Sequence, residues 1–258
     1  MNLLLLGGTA DGRHVANALH QKGVELIYSV AGLVRVPKVA CPVISGGFSQ
    51  YGGLKDFIEQ QKIDAILDVT HPFALTMSST AVDVAAELGI PCWRFHRPAW
   101  QQQEGDDWRL FSDWPELLSA LADYQHLFVT AGQLSQSLMD QLTRAGRADE
   151  PRTLLYRTAA PPKAQLSQTV QWLKAIGPFD LASERALMLA HNIDALVSKN
   201  SGGKATEAKL HAARDLAIPV FMIERPLLPE ADCQFSELTA CVEAVVEFYS
   251  SSKAPTTD

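Results

Sequence analysis

Four consecutive leucines, Leu3 to Leu6, run directly into Gly7-Gly8-Thr9-Ala10-Asp11-Gly12-Arg13. An apolar run too short for a helix is closed here by glycines. His14, Val15, Ala18 and Leu19 then recur at helical spacing, so the segment reads as strand, tight loop and helix. The same alternation continues along the chain. It narrows the fold to repeated βαβ units around largely parallel sheets. Lys22-Gly23 stops the first helix, Glu25 to Val30 predicts a second strand, and Ala65 to Val69 predicts a buried one. Residues 75–88 predict a helix ended by Gly89, and Pro91 to Phe95 returns to the sheet. The connections are short, as α/β units require.

The segment Arg97 to Trp114 breaks the rhythm. It carries Trp100, Trp108, Trp114 and a glutamine cluster, and reads as a loop or hairpin that covers something. A helix around Pro115 to Ala122 follows. Strand-like runs resume at His126 to Thr130, Thr153 to Arg157, Ala195 to Val197 and Val220 to Ile223, and Glu237 to Tyr249 predicts a terminal helix. The expected fold class is α/β: two Rossmann-like lobes with mainly parallel sheets and a cleft between them. Residues 1–123 form the expected dinucleotide-binding lobe, 124–250 the substrate lobe, and 251–258 a flexible tail. No repeat of fixed period is present.

Composition then limits the partners. A chain of 258 residues with 47% hydrophobic and 20% charged residues is long enough to bury a core. Its formal net charge of −7 speaks against general nucleic-acid binding, which needs a basic face, but allows a local cationic pocket. Cys41, Cys92, Cys233 and Cys241 form no CxxC pair and read as reduced thiols. No run approaches the ~18 apolar residues of a membrane span, so no membrane is expected as a partner and the expected location is the cytoplasm.

Two loops carry the chemistry. Gly7-Gly8-Thr9 with Gly12 and Arg13 stands between strand and helix, where backbone N–H groups and the helix dipole suit a diphosphate. The spacing departs from GxGxxG, so a tight turn without ligand stays open on the residues alone. Ser198-Lys199-Asn200-Ser201-Gly202-Gly203-Lys204 follows another strand and suits anions, with Lys209 nearby. Ser29-Val30-Ala31-Gly32 ends the second strand without an Asp or Glu to grip a ribose 2′-hydroxyl. Arg35 and Lys38 could instead neutralise a 2′-phosphate. Gly46-Gly47 allow close approach of a ligand, and Thr70-His71-Pro72 emerge at a strand end. His71 is a weak candidate acid, weighed against a structural role, and no catalytic residue is otherwise assigned. No Ser-His-Asp order, HExxH or P-loop supports a hydrolase or metal enzyme.

Taken in order, GGTADGR, SVAG, GGF, DVTHPFA, RPAW, GPF, SKNSGG, KLHAAR and ERP resemble the precorrin-6A reductases of cobalamin biosynthesis, the cobalt-precorrin-6A reductases included. The resemblance implies reduction of one double bond of an anionic corrin precursor by NADPH or NADH. Carried over by position, Gly7, Gly8, Thr9 and Arg13 are expected at the cofactor phosphates, and Ser29, Ala31, Gly32 and Arg35 at the adenosine end. Gly46, Gly47, Thr70, His71 and Pro72 are expected at the nicotinamide side. Arg97, Lys199, Asn200, Ser201, Gly202, Gly203 and Lys209 are expected at the macrocycle and its carboxylates. The family pattern continues after SxAG with Arg, whereas Leu33 stands there in this chain. The resemblance therefore leaves the choice between NADPH and NADH open, with Arg35 as the substitute. A non-catalytic dinucleotide- or tetrapyrrole-binding module is the alternative reading.

Overall fold

The structure, a computed structural model, describes residues 2–32, 37–144 and 152–253. The chain opens with β1 (Leu3–Leu6), α1 (Ala10–Gln21), β2 (Leu26–Val30), β3 (Val43–Ser45), α2 (Leu54–Gln61), β4 (Ala65–Asp68), α3 (Leu75–Leu88) and β5 (Cys92–Phe95). After β6 (Trp108–Phe111) and α4 (Trp114–Ala120), the same order of elements recurs. It comprises β7 (His126–Val129), α5 (Gln136–Thr143), β8 (Thr153–Thr158), β9 (Val170–Lys174), α6 (Leu181–Ala190), β10 (Ala195–Lys199), α7 (Ala208–Asp215) and β11 (Val220–Ile223). β12 (Cys233–Phe235) and α8 (Leu238–Lys253) close the chain. The repeat lies in the order of elements, which explains why no sequence period betrays it.

Among the described residues the strands form two six-stranded sheets, β3-β2-β1-β4-β5-β12 and β9-β8-β7-β10-β11-β6. Every pairing is parallel. With β6 and β12 set aside, each sheet starts at its middle, winds to one edge and returns towards the other, the doubly wound order. The last strand of each sheet is exchanged. β6 follows β5 in sequence yet pairs with β11, and β12 follows β11 yet pairs with β5.

The exchange corrects two expectations. Arg97 to Trp114 is no hairpin: residues 108–111 are a parallel edge strand, and Asp113 caps α4 through the N–H of Glu116. The compact units are Met1–Pro98 with Pro226–Asp258, and Ala99–Arg225, so the first division falls at Pro98 and not near Asp123. The terminal helix runs to Lys253, so the expected tail is helical at 251–253, and the rest of it lies outside the described residues.

An arginine bolts each exchanged segment in place. Arg94 on β5 donates to the carbonyl of Pro229 at 2.5 Å, ahead of β12. Arg214 on α7 donates to both carboxylate oxygens of Asp106 (2.8 and 3.1 Å) and to Gln103, ahead of β6. In the first unit, strand alternation divides the leucines of β1. Leu3 and Leu5 join the core under α1 and α8, while Leu4 and Leu6 join the core under α2 and α3. Burial on both faces is what a continuous apolar strand in a covered parallel sheet requires.

Candidate active site

Because each sheet is wholly parallel, all strand ends of one kind lie along one edge. In the first unit that edge carries Gly7, Gly8 and Thr9 after β1, Ala31 and Gly32 after β2, Gly46 and Gly47 after β3, and Thr70, His71 and Pro72 after β4. The chain reverses its winding between β1 and β4, and a doubly wound sheet binds its ligand outside the carboxyl ends at that reversal. Most of the expected cofactor residues therefore lie along this one edge. Ser29 is an exception in kind: it is buried within β2, and its carbonyl accepts from the Gly7 N–H at 2.8 Å. Arg35 lies outside the described residues.

The glycines of the first loop have separate jobs. A Cβ on Gly7 would lie 2.3 Å from Cε2 and 2.4 Å from Cζ of Tyr28, so Gly7 is required for the β2 tyrosine to pass beneath the loop. The Tyr28 hydroxyl accepts from the Gly8 N–H at 3.0 Å. Burial pushes its phenol up from the ordinary value, which keeps it neutral. Gly8 has φ of +108°, and a Cβ there would meet nothing, so conformation alone demands glycine. Thr9 caps α1, accepting from the Gly12 N–H at 2.9 Å, and its hydroxyl donates to the Val69 carbonyl at 3.1 Å, tying the β1 loop to the β4 loop. Arg13 folds back onto the Thr9 carbonyl. The N–H groups of Ala10 and Asp11 lie ahead of the helix's own hydrogen-bond ladder. A backbone open at Gly8, with helix-end donors beyond it, fits a dinucleotide diphosphate.

Behind the β4 loop lies a buried ion pair. Arg94 Nε donates to Asp68 at 3.0 Å, with the two side chains 1% and 0% exposed. Asp68 also accepts from the N–H and hydroxyl of Thr70, at 3.0 and 2.6 Å. Thr70 thus serves the shape of the loop. His71 is exposed, and its Nδ1 accepts from the Phe73 N–H at 3.3 Å.

Arg97 occupies a different place from the one expected. It belongs to the first unit and forms an ion pair with Asp11 in the first turn of α1, at the cofactor loop.

In the second unit, Lys199 ends β10 and residues 200–203 follow it at the carboxyl edge, again beside the winding reversal, which here falls between β7 and β10. The loop is held firmly: Asn200 N–H donates to Ile223, Ser201 N–H to Lys199, and Arg225 Nε to the Asn200 carbonyl. Burial pulls the Lys199 ammonium below the ordinary lysine value. Two expected ligands are otherwise engaged. The Asn200 side chain accepts from the Trp100 N–H at 2.8 Å and donates to the Trp100 carbonyl at 3.3 Å, so it clamps a backbone. Lys209 is only 4% exposed and donates to Thr130 at 2.8 Å, so it is not presented to a ligand at the surface. Trp100, on the segment expected to cover something, is itself core: it is 7% exposed and packs with Phe128, Leu196 and Leu210.

Sequence reading missed the partner loop in this unit. Thr130 to Ser135 stands after β7 as Gly7 to Thr9 stands after β1. Tyr156 on β8 repeats Tyr28, accepting from the Leu134 N–H at 3.2 Å and donating to the Gly132 carbonyl at 2.7 Å. The signal was the shared run of strand, Thr-Ala and glycine, visible only once the units are aligned element by element. Buried charge gathers nearby. Arg157 makes a two-point pair with Glu184, at 2.5 and 3.1 Å, and its guanidinium lies over the rings of Phe179 and Phe128.

Two doubly wound sheets, one with an open glycine turn leading into a helix at its reversal, define an α/β enzyme of the dinucleotide-binding kind. The family model for precorrin-6x reductase CbiJ/CobK matches residues 2–249. A precorrin-6A reductase of Rhodococcus erythropolis is 40% identical over 89% of this chain and 91% of its own. A cobalt-precorrin-6A reductase of Priestia megaterium is 28% identical over 95% of this chain and 98% of its own. A solved structure described as CobK precorrin-6A reductase aligns with a TM-score of 0.83 and 31% identity, over 100% of this chain and 99% of that one. The chain belongs to the precorrin-6x reductase CbiJ/CobK family, and it is an oxidoreductase of cobalamin biosynthesis.

Proposed function

We propose that this protein reduces one double bond of precorrin-6A to give precorrin-6B. The first unit holds the reduced nicotinamide dinucleotide and the second holds the ring. When bound, the dinucleotide supplies hydride. The protein's part is to bind, orient and exclude water. The observation that carries the reading is the Gly7–Arg13 turn at the winding reversal of a six-stranded parallel sheet, in a chain of this family. Gly7, Gly8, Thr9 and Arg13 take the diphosphate. Ala31, Gly32 and Arg35 take the adenosine end, Arg35 favouring NADPH because no carboxylate follows β2. Gly46, Gly47, His71 and Pro72 border the nicotinamide. Lys199, Ser201, Gly202 and Gly203 receive the carboxylate fringe of the ring. A metal-free ring is favoured by the higher identity to the precorrin-6A reductase. The setting is the cytoplasm; no helix of the described residues is long and apolar enough to cross a membrane.

Arg97 is reassigned to the dinucleotide side. Beside the first turn of α1 it offsets the Asp11 carboxylate, which would otherwise repel the diphosphate. Arg97→Ala is expected to raise the NADPH Kd about tenfold, the scale of one charge-assisted hydrogen bond, and to leave the ring KM unchanged. A titration of NADPH fluorescence together with ring-dependent kinetics checks this, and a change in ring KM alone returns Arg97 to the substrate.

Anaerobic turnover of metal-free and cobalt-bearing rings with each dinucleotide tests the function. Oxidation of NADPH at 340 nm, fastest with the metal-free ring, is the expected result. Binding without oxidation by either ring would establish the non-catalytic module instead.

A further inference from the structure

The reduction needs a proton as well as a hydride, and therefore a proton donor. The second unit holds an unusual one. Lys209 lies in the first turn of α7, 4% exposed, and among the described residues the Thr130 hydroxyl is its one hydrogen-bond acceptor, at 2.8 Å. A buried ammonium has three N–H bonds to satisfy, and one neutral acceptor leaves it poorly solvated. Among the described residues the other groups around it add no second hydrogen-bond acceptor, and the Trp100 face gives a cation–π attraction in place of one. The Trp100 ring lies with its centroid 5.4 Å from Nζ, and from β8 the Arg157 guanidinium repels it. From α6, Glu184 attracts it, but both carboxylate oxygens of Glu184 are already engaged by Arg157. Thr130, by contrast, is half-buried and stands at the end of β7, beside the winding reversal where a doubly wound sheet meets its ligand.

We infer that Thr130 and Lys209 form the proton-delivery pair of the reductase, with Thr130 touching the ring and Lys209 acting behind it as the proton store. The inference rests on the second unit holding the ring, as proposed above. Hydride addition at one atom of the ring double bond places the π electron pair on the other atom. That atom takes the proton of the Thr130 hydroxyl as Thr130 takes one from the Lys209 ammonium. The Oγ–H and Nζ–H bonds break, a new bond to hydrogen forms on the ring, and Oγ–H is remade. Lys209 is left as a neutral amine and recovers its proton from solvent. In the resting protein the Thr130 hydroxyl donates to the Val197 carbonyl at 3.2 Å, a long bond that a single rotation of the hydroxyl exchanges for the ring. Burial, with Arg157 adding to it and Glu184 opposing it, brings the Lys209 ammonium down to about 7, which suits an acid that must give and regain a proton near neutrality.

Two readouts test the pair. The first needs no ligand: with ¹³Cε-labelled lysine, one side-chain resonance is expected to titrate near pH 7 and to vanish in Lys209→Met. The absence of any such resonance overturns the inference. The second is the pH dependence of kcat with precorrin-6A and NADPH. Wild type is expected to lose rate above neutrality, and Lys209→Met to lose about 100-fold, the scale of a general acid, along with that pH limb. Thr130→Val is expected to behave like Lys209→Met, while Thr130→Ser, which keeps a hydroxyl, recovers most of the rate; NADPH Kd stays constant throughout. If Lys209→Met does not fold, the Thr130 pair and the resonance decide the matter. Turnover in wild type with unaltered pH profiles in the variants sinks this pair alone, whereas no turnover in wild type sinks the proposed function.

Discussion

Gly7→Ala is expected to cost the protein its dinucleotide site. The added Cβ would lie 2.3, 2.4 and 2.6 Å from Cε2, Cζ and the hydroxyl of Tyr28. Those ring atoms cannot yield easily. Tyr28 is fully buried in the core beneath α1, and its hydroxyl is fixed by the Gly8 N–H. Either the loop rises or the ring leaves the core. Overpacking of this kind costs about 1–3 kcal/mol, and a shift of the loop by about 1 Å is worth roughly 100-fold where geometry governs binding. Urea denaturation and NADPH titration measure the two losses separately. Tyr28→Leu, by clearing the space, is expected to make the double variant bind better than Gly7→Ala alone. A Gly7→Ala protein with unchanged stability and affinity would show that the tyrosine beneath the loop is not the constraint described.

The second large effect belongs to Asp68. Replacing it with Ala strands the Arg94 guanidinium, 1% exposed, without its carboxylate. Removing one member of a buried pair costs about 3–5 kcal/mol, a large share of the about 5–15 kcal/mol that holds a domain together. The damage should spread along a defined route. Arg94 also donates to the carbonyls of Ser78 and Pro229, so α3 and the entry to β12 lose their anchor. Hydrogen exchange is expected to rise first at Cys233–Phe235 and α8. Replacing the pair together, Asp68→Leu with Arg94→Met, should recover most of the loss, because no buried charge is left unpaired.

Acid makes the same point. Burial raises the Asp68 pKa, but the hydrogen bonds from Ser78, Thr70 and Arg94 outweigh it and hold the carboxyl below its ordinary value. A depressed folded value gives stability that is present above about pH 4 and is lost as pH falls through the folded value. Wild type should therefore lose stability more steeply below pH 4 than the Asp68→Leu, Arg94→Met protein.

Local pattern revealed much of the fold. Leu3–Leu6, Leu75–Leu88 and Val220–Ile223 stand where their apolar runs place them, with Gly7 and Gly89 closing the first two. Edge elements were harder to read. β3 is three residues long and largely exposed, and β6 presents Leu110 at 49% exposure, so neither shows the run of a buried strand. The exchange of β6 and β12 was beyond periodicity, which reports the face a residue buries and not the strand that lies beside it.

The site divides in the same way. Glycine loops at strand ends announce an edge suited to anions. They do not say which side chains are already spent. Asn200 and Lys209 looked like free polar groups in a cluster, yet one clamps Trp100 and the other lies behind Thr130. The resemblance implies a place for Arg97 at the macrocycle, whereas its carboxylate partner is Asp11, 86 positions away.

Hydrogen–deuterium exchange with and without saturating NADPH tests the division of labour between the two units most directly. Slowed exchange is expected at residues 8–13, 31–32, 46–47 and 70–74, with the amides of 199–204 unchanged until precorrin-6A is added. Protection by NADPH at 199–204, with the Gly7–Arg13 turn left unprotected, would contradict the account.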